Sequence, residues 1–319
     1  MAACSLAAAS LPTILPAKTV AWWRFENGLP NEAVTHATAA GAFDGSTPDV
    51  SGNGNHLSAW SQGGGSGFAY RADVPFPAAP QDGTPNLRSI KNTGSYPAAS
   101  TDATASAPTG VNIDTFTPPR WTVEVCYKPE ITGGHRTVLG RDARDIATGN
   151  GSLAALYLQI RPDDSVGIAF TDVSGYFHSA FSPPGWMYGF VFGSDPEGSA
   201  APWYRLAATC DGSTLKMYVD NVLVASTDLI ASGSPNRALA KGSASGGDWK
   251  TGAWSVGRGL YGGGHVDRAY GLIDEVRISD EALPLNRLLG APQPGVVEFS
   301  VAGNMATAKA RGGAPGGLG

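Results

Sequence analysis

The chain has 319 residues, 15% of them charged and 42% hydrophobic, with 43 glycines and a formal net charge of −5. Charge below the ~25% of ordinary globular chains, with glycine near twice its usual ~7%, describes strands and tight turns and excludes a helical bundle. The apolar content excludes a disordered or collagen-like polypeptide, the scattered 22 basic residues argue against a nucleic-acid partner, and no apolar run reaches membrane-inserting length.

Residues 1–18 are rich in Ala and Leu, uncharged until Lys18, and end Leu15-Pro16-Ala17. They read as the back half of a secretory signal without its basic start, or as an apolar lead-in, and a secreted or cell-surface location is expected. Thr19–Phe25 reads as a strand closed by the turn Glu26-Asn27-Gly28. Residues 27–117, rich in Gly, Pro, Ala and Ser, read as extended loops. In Trp121–Tyr127 the residues Trp121, Val123, Val125 and Tyr127 alternate with Thr122, Glu124 and Cys126, the pattern of a half-buried strand. Cys126 and Cys210 are either a cross-strand disulfide or two buried thiols, with Cys4 in the leader.

Leu153–Ile160 and Val166–Thr171 flank the polar connection Arg161–Ser165, which suits a hairpin. A second hairpin joins Leu215–Val219 to Val222–Ser226 through Asp220-Asn221, a pair that tolerates the positive φ of a type I′ turn. Trp254–Gly257 and Gly271–Ser279 are the last strands. Pro284 and Gly290 bound a short helix over Leu285–Leu289, and residues 291–319 read as a Gly/Ala/Pro-rich tail or linker.

Many antiparallel strands without strand–helix alternation make an all-β, two-sheet antiparallel β-sandwich or jelly roll. The motifs Trp22-Trp23-Arg24-Phe25-Glu26-Asn27-Gly28, Asp49-Val50-Ser51-Gly52-Asn53-Gly54-Asn55-His56 and Trp121-Thr122-Val123-Glu124 stand in order along the chain. They are followed by Arg205–Gly212, Leu215–Asn221 and Gly271–Ile278. Together, over roughly residues 19–290, they resemble a laminin-G-like domain of the concanavalin A-like lectin/glucanase superfamily. Two departures are Cys126 and Cys210, where that family more often has aromatic residues, and an insert from about Gly140 to Pro202. The resemblance implies the sandwich, but the superfamily includes lectins, carbohydrate-binding modules, adhesion domains, glycosidases and lyases, so the site must decide.

A retaining glycosidase needs two carboxylates about 5 Å apart. Strict alternation places Asp274 with Leu272, Val276 and Ile278 on one face and Glu275 with Ile273 and Arg277 on the other, so that strand offers no pair. A polysaccharide lyase would draw on Tyr157, Gln159 and Arg161, which share a face, and on His178 in the next segment. The resemblance brings the terminal strands together, so that Glu26 and Asp274 would clamp a structural Ca²⁺, with Asp49 a further candidate. The five histidines lack paired zinc-ligand spacing. Sugar stacking needs flat aromatic faces, and the loop aromatics Trp60, Tyr70, Trp186, Tyr188, Trp249, Tyr261 and Tyr270 fit. Trp186 and Tyr188 in the insert come first. Tyr261 and His265 follow, on a Gly-rich loop at one rim that lacks the Lys and the helix of a phosphate loop. The reading is a non-catalytic carbohydrate-binding or adhesion domain, its partner a glycan or a surface protein. A lyase or hydrolase, and a structural module without glycan binding, are the alternatives.

Overall fold

The computed structural model describes residues 19–35, 47–61, 65–94, 97–101, 109–130, 134–142, 154–187, 202–242, 251–262, 264–291, 297–302 and 305–310. Its strands are β1 (Thr19–Trp23), β2 (Ser58–Ser61), β3 (Phe68–Arg71), β4 (Ser89–Asn92), β5 (Pro97–Ser100), β6 (Trp121–Pro129), β7 (Arg136–Arg141), β8 (Leu156–Ile160), β9 (Val166–Thr171) and β10 (Phe177–Phe181). They continue as β11 (Tyr204–Cys210), β12 (Thr214–Val219), β13 (Val222–Asp228), β14 (Trp254–Val256), β15 (Gly259–Tyr261), β16 (Gly264–Val266), β17 (Gly271–Ser279), β18 (Val297–Ala302) and β19 (Met305–Ala310). One antiparallel sheet runs β13-β12-β11-β6-β17-β4-β3, with β1 as its eighth strand beside β17; the second runs β10-β9-β8-β7-β14-β5-β2. This is the expected two-sheet sandwich.

Period-two alternation builds the core. Trp121, Val123, Val125 and Tyr127 of β6, Leu206 and Ala208 of β11, and Met217 and Val219 of β12 face inward from the larger sheet. They meet Leu156, Leu158 and Ile160 of β8 and Val166, Ile168 and Phe170 of β9. Trp121 packs edge-on against Phe170 at 5.3 Å and 87°.

β17 departs from strict alternation. Asp274 pairs with Cys126 and Arg277 with Glu124, so Glu275 and Val276 together oppose Val125 across a β-bulge, with Glu275 at φ 50°. The extra residue shifts the phase, so that Ile273, Val276 and Ile278 all enter the core. The face assignment expected from alternation is therefore corrected: Asp274, Glu275 and Arg277 are all outside the core cluster, and their side chains meet polar partners. At the head of β17, Gly271 has φ 129°, and a Cβ there would lie 2.1 Å from the Lys128 carbonyl oxygen.

The bulge also splits the edge of β17 between two partners. Leu272 and Ile273 pair with β4, whereas Trp22 and Trp23 of β1 pair with Arg277 and Val276. Cys126 and Cys210 lie on neighbouring strands, but Cys126 pairs with Arg205 and Cys210 with Trp121. Cys210 faces the core and Cys126 does not; both are free thiols.

Three further expectations change. The stretch read as loops contributes β2 to β5, strands of four residues each in both sheets. The short helix over 285–289 is a single 3₁₀ turn, Leu285–Arg287, because the chain runs extended at Pro284 and Leu288 to lay Leu288 and Leu289 on the larger sheet. The segment read as tail holds the hairpin of β18 and β19. Asp220 and Asn221 have φ 49° and 66°, as the type I′ reading requires.

Candidate functional site on the smaller sheet

The two sheets differ in what covers their outer faces. On the larger sheet the polar row of β6, read as half-buried, is fully buried, because residues 281–291 cross over it. Thr122 Oγ1 donates to the Glu281 carbonyl (2.7 Å) and accepts from the Leu283 N–H (2.8 Å). Glu124 receives the Leu289 N–H, and Arg205 Nη1 donates to the Gly290 carbonyl (2.6 Å). Beneath this strap lies the buried ion pair of Arg277 with Glu124 (2.6 Å); a second buried pair, Arg24 with Glu275 (2.9 Å), is met by the Thr84 and Pro85 carbonyls, and Trp22 Nε1 also donates to Glu275 at 2.6 Å.

The smaller sheet presents a different surface. Register aligns Tyr157, Ala169 and Ser179 across β8, β9 and β10, and next to them Gln159, Gly167 and Phe181, all facing away from the core. Gly167 lets the Phe181 ring cross its strand: a Cβ there would sit 2.6 Å from the ring. The Arg161 guanidinium then lies 3.3 Å from the Phe181 ring centroid.

The hairpin of β15 and β16 flanks this row. Tyr157 Oη donates to the Leu260 carbonyl and accepts the Ala154 N–H, and Tyr157, Leu260 and Ala154 form a small apolar cluster. Tyr261, next along, turns outward and is 64% exposed. His265, opposite Leu260, is buried; burial and then the Arg258 charge hold its imidazole down to about 3, so it stays neutral. A buried bidentate pair anchors the base, with Arg258 Nη1 and Nη2 donating to Asp142 at 2.6 and 2.7 Å. From Gln159 the polar row continues to Thr137 (3.4 Å) and His135 (3.3 Å).

The structure thus brings Tyr157, Gln159 and Arg161 onto one face with Tyr261, and leaves His178 off it. His178 alternates with Phe177 and Ser179 and points inward beside Phe170, its Nε2 2.8 Å from Asp172. Trp186 is 40% exposed on a turn tied to the β8–β9 connection, the Gly185 N–H donating to the Asp163 carbonyl at 2.7 Å. Tyr188 and Trp249 lie outside the described residues. Thr137, Phe181 and the Asp142–Arg258 pair escaped the sequence reading. Nothing in the spacing of residues 142 and 258 signals that β7 and β14 pair; the only local hint was Gly167 facing a large ring.

The metal candidates also separate. Asp49 has both oxygens filled by hydrogen-bond donors: Trp22 N–H (2.9 Å) and Ser51 N–H (2.8 Å) on one, Ser51 Oγ (2.8 Å) and Asn55 N–H (3.0 Å) on the other. It orders its loop and does not suit a cation. Glu26 Oε1 accepts the Leu87 N–H (2.9 Å), and Asp274 Oδ2 accepts the Asn86 amide (2.9 Å). Burial, then the neighbouring Glu275, push the Asp274 carboxyl well above its ordinary value, and Glu26 adds to the effect. Asn86 Oδ1 is buried without a hydrogen-bond partner. Among the described residues no three His, Cys, Asp or Glu side chains converge as a metal-ligand group.

The fold is a concanavalin A-like sandwich. The chain belongs to the concanavalin A-like lectin/glucanases superfamily: the family model Laminin_G_3, so described, matches residues 99–287, more than half of the chain. No curated protein matches the chain. Among solved structures it is similar to the binding domain of Paraclostridial Mosquitocidal Protein 1, with TM-score 0.48 and 12% identity over 85% of this chain and 51% of that one. It thus spans about half of that domain. Similar too is domain 4 of AbnA, a GH43 extracellular arabinanase from Geobacillus stearothermophilus in complex with arabinotriose, with TM-score 0.48 and 15% identity over 85% of this chain and 97% of that one. The CBM40 of Ruminococcus gnavus IT-sialidase matches with TM-score 0.41 and 13% identity, over 58% of this chain and 88% of that one. No helix among the described residues is long and apolar enough to cross a membrane.

Proposed function

We propose that the protein is a non-catalytic glycan-binding module acting outside the cell, and that the outer face of the smaller sheet is its binding surface. The observation that carries this is the exposed Tyr261 ring beside the row Tyr157, Gln159, Thr137 and His135. Tyr261 offers an aromatic face for a pyranose, and the exposed His135 and half-buried Arg161 offer donors for its hydroxyls, while the buried Tyr157, Gln159 and Thr137 hold the surface from beneath. The same geometry disfavours a lyase. A general base needs a proton affinity near the working pH, whereas burial pushes the Tyr157 phenol up and two backbone groups engage it. His178 faces the opposite side of its sheet. A glycan array tests the reading beside an assay for unsaturated uronate products. Tyr261→Ala is expected to weaken glycan binding about tenfold with an unchanged melting temperature, the size of one stacking contact. Unsaturated products released by the wild type would replace binding with catalysis.

A second reading concerns Ca²⁺, and the orphaned Asn86 Oδ1 beside a buried carboxylate favours it. Glu26, Asn86 and Asp274 supply the hard oxygens that Ca²⁺ takes, and bound there it would neutralise acids that otherwise repel. The signs of the pH dependence separate ion from proton. Without the ion the Asp274 carboxyl is raised in the folded state, which then binds more protons than the unfolded chain. That stability is fully present below about 3.8 and is lost as pH rises through the folded value. Saturating Ca²⁺ is therefore expected to raise the melting temperature most at neutral pH, and Asp274→Asn to remove the effect. Melting indifferent to both Ca²⁺ and chelator at neutral pH would leave these residues as hydrogen-bonding groups alone.

A further inference from the structure

At the end of the polar row, two cations share one aromatic ring, and neither has an ion-pair partner within 4 Å among the described residues. Arg136, first in β7, and Arg268, just past β16, hold their guanidinium carbons 5.0 and 4.2 Å from the centroid of one ring, that of Tyr270. Tyr270 is itself fixed, because its carbonyl accepts the Tyr127 hydroxyl and the Glu130 N–H (3.1 Å). Arg136 donates from Nη1 to the carbonyl of its neighbour His135 (2.7 Å), and its Nε is buried without a partner. Arg268 makes no hydrogen bond or ion pair with any described residue, and its Nε is likewise buried and unmatched.

The acids nearby are engaged elsewhere. Glu130 lies 3.9 Å from Lys91 Nζ. Asp267 bonds Thr137, and its carboxyl is raised by burial, with His135 and Arg136 pulling the other way less strongly. Two guanidiniums gathered on one ring repel, and their buried unpaired N–H groups cost free energy that an oxyanion would recover through charge-assisted, bidentate hydrogen bonds. Stacking on Tyr270 holds both planes, so little side-chain freedom remains to be lost on binding. The pair adjoins the row already described, since Arg136 follows His135 and Arg268 bridges to Thr137.

We propose that Arg136 and Arg268 form a subsite for an anionic substituent of the bound glycan, a carboxylate or a sulfate ester, so that the ligand class is an acidic polysaccharide. This rests on the glycan-binding reading above and names the class of ligand for a subsite at the rim where that row ends, since Arg136 pairs with the inward Ile160 and leaves β7 on the side opposite Thr137.

The test measures affinity of the full chain at low salt for polygalacturonate, which offers carboxylates only, for dextran sulfate, which offers sulfates only, and for neutral arabinan and galactan. Binding to one acidic polymer at least tenfold tighter than to the neutral ones is expected, and which one wins identifies the anion. Arg268→Gln and, independently, Arg136→Gln should each cut that binding about tenfold, the worth of a charge-assisted pair, and flatten its salt dependence. Lys216→Gln on the other sheet should change neither, which separates a built subsite from general charge attraction. Neutral glycans binding as tightly as acidic ones, with both arginine variants silent, would overturn the subsite and leave the glycan reading standing. Binding to no polymer of either kind would overturn that reading and the subsite with it.

Discussion

Asp142→Ala is expected to lower stability by about 3–5 kcal/mol, the cost of removing one partner of a buried ion pair, and to abolish glycan binding together with it. Arg258 is only 1% exposed, and both its terminal nitrogens donate to Asp142. With the carboxylate gone, a full charge stays buried beside His265, whose imidazole already avoids a proton because of burial first and Arg258 second. The segment carrying Arg258 leads directly into β15, so its displacement moves Leu260 off Tyr157 and takes Tyr261 out of place. Denaturant unfolding measures the first effect and glycan affinity the second. The double variant Asp142→Leu/Arg258→Met should regain most of the stability, because two apolar side chains leave no charge uncompensated. A loss below about 1 kcal/mol, the range of surface pairs, would mean that water reaches Arg258.

Glu124→Ala should be as damaging, by a different route. One oxygen of Glu124 accepts from Arg277 and the other from the Leu289 N–H, so a single side chain balances a buried cation and pins the strap. Its removal leaves Arg277 unpaired at 1% exposure and frees residues 281–291 from the sheet. The expected signature is a loss of about 3–5 kcal/mol with new proteolytic cleavage near residue 287. Glu124→Gln, which keeps an acceptor for Leu289, should be cleaved less. Equal cleavage of wild type and Glu124→Ala under native conditions would show that the strap holds without this residue.

The contrast between these residues and those read from sequence shows what a pattern can carry. β6, β11 and β12 announce themselves because seven or so residues of strict alternation each place an apolar row on one face, and the row read from β6, Trp121, Val123, Val125 and Tyr127, is in the core. Asp220-Asn221 was readable for a local reason, since few residue pairs accept φ of 49° and 66°. β2 to β5 were missed because four-residue strands such as Ser58–Ser61 and Pro97–Ser100 carry too few apolar positions to show a period. The faces of β17 were misassigned for one reason: a bulge adds a residue without any mark in composition, and Glu275, at a φ few glutamates adopt, gives no warning. The site was legible in part. Strand spacing alone put Tyr157 and Gln159 on one face, and the Gly-rich run placed Tyr261 at a rim. That Arg136, Arg268 and Tyr270 meet depends on how β7 and the chain after β16 approach in space, and no local pattern encodes that.

The divided edge of β17 also sets an order of events during synthesis. β1 is the first of the described strands to be made, yet its place in the sheet is defined by Arg277 and Val276, some 250 residues later. At about 5–20 residues per second, translation leaves that strand without its β17 partner for roughly 12–50 s, with only the Asp49–Asn55 loop to bond it before then. Its apolar run Val20-Ala21-Trp22-Trp23 is available meanwhile to any chaperone or neighbouring chain. Docking must then follow the formation of β17 against β6, so the last contacts to close are among the longest in sequence separation, the slow class for a folding chain. The ribosome has to deliver almost the whole sandwich before β1 finds its partner in the sheet.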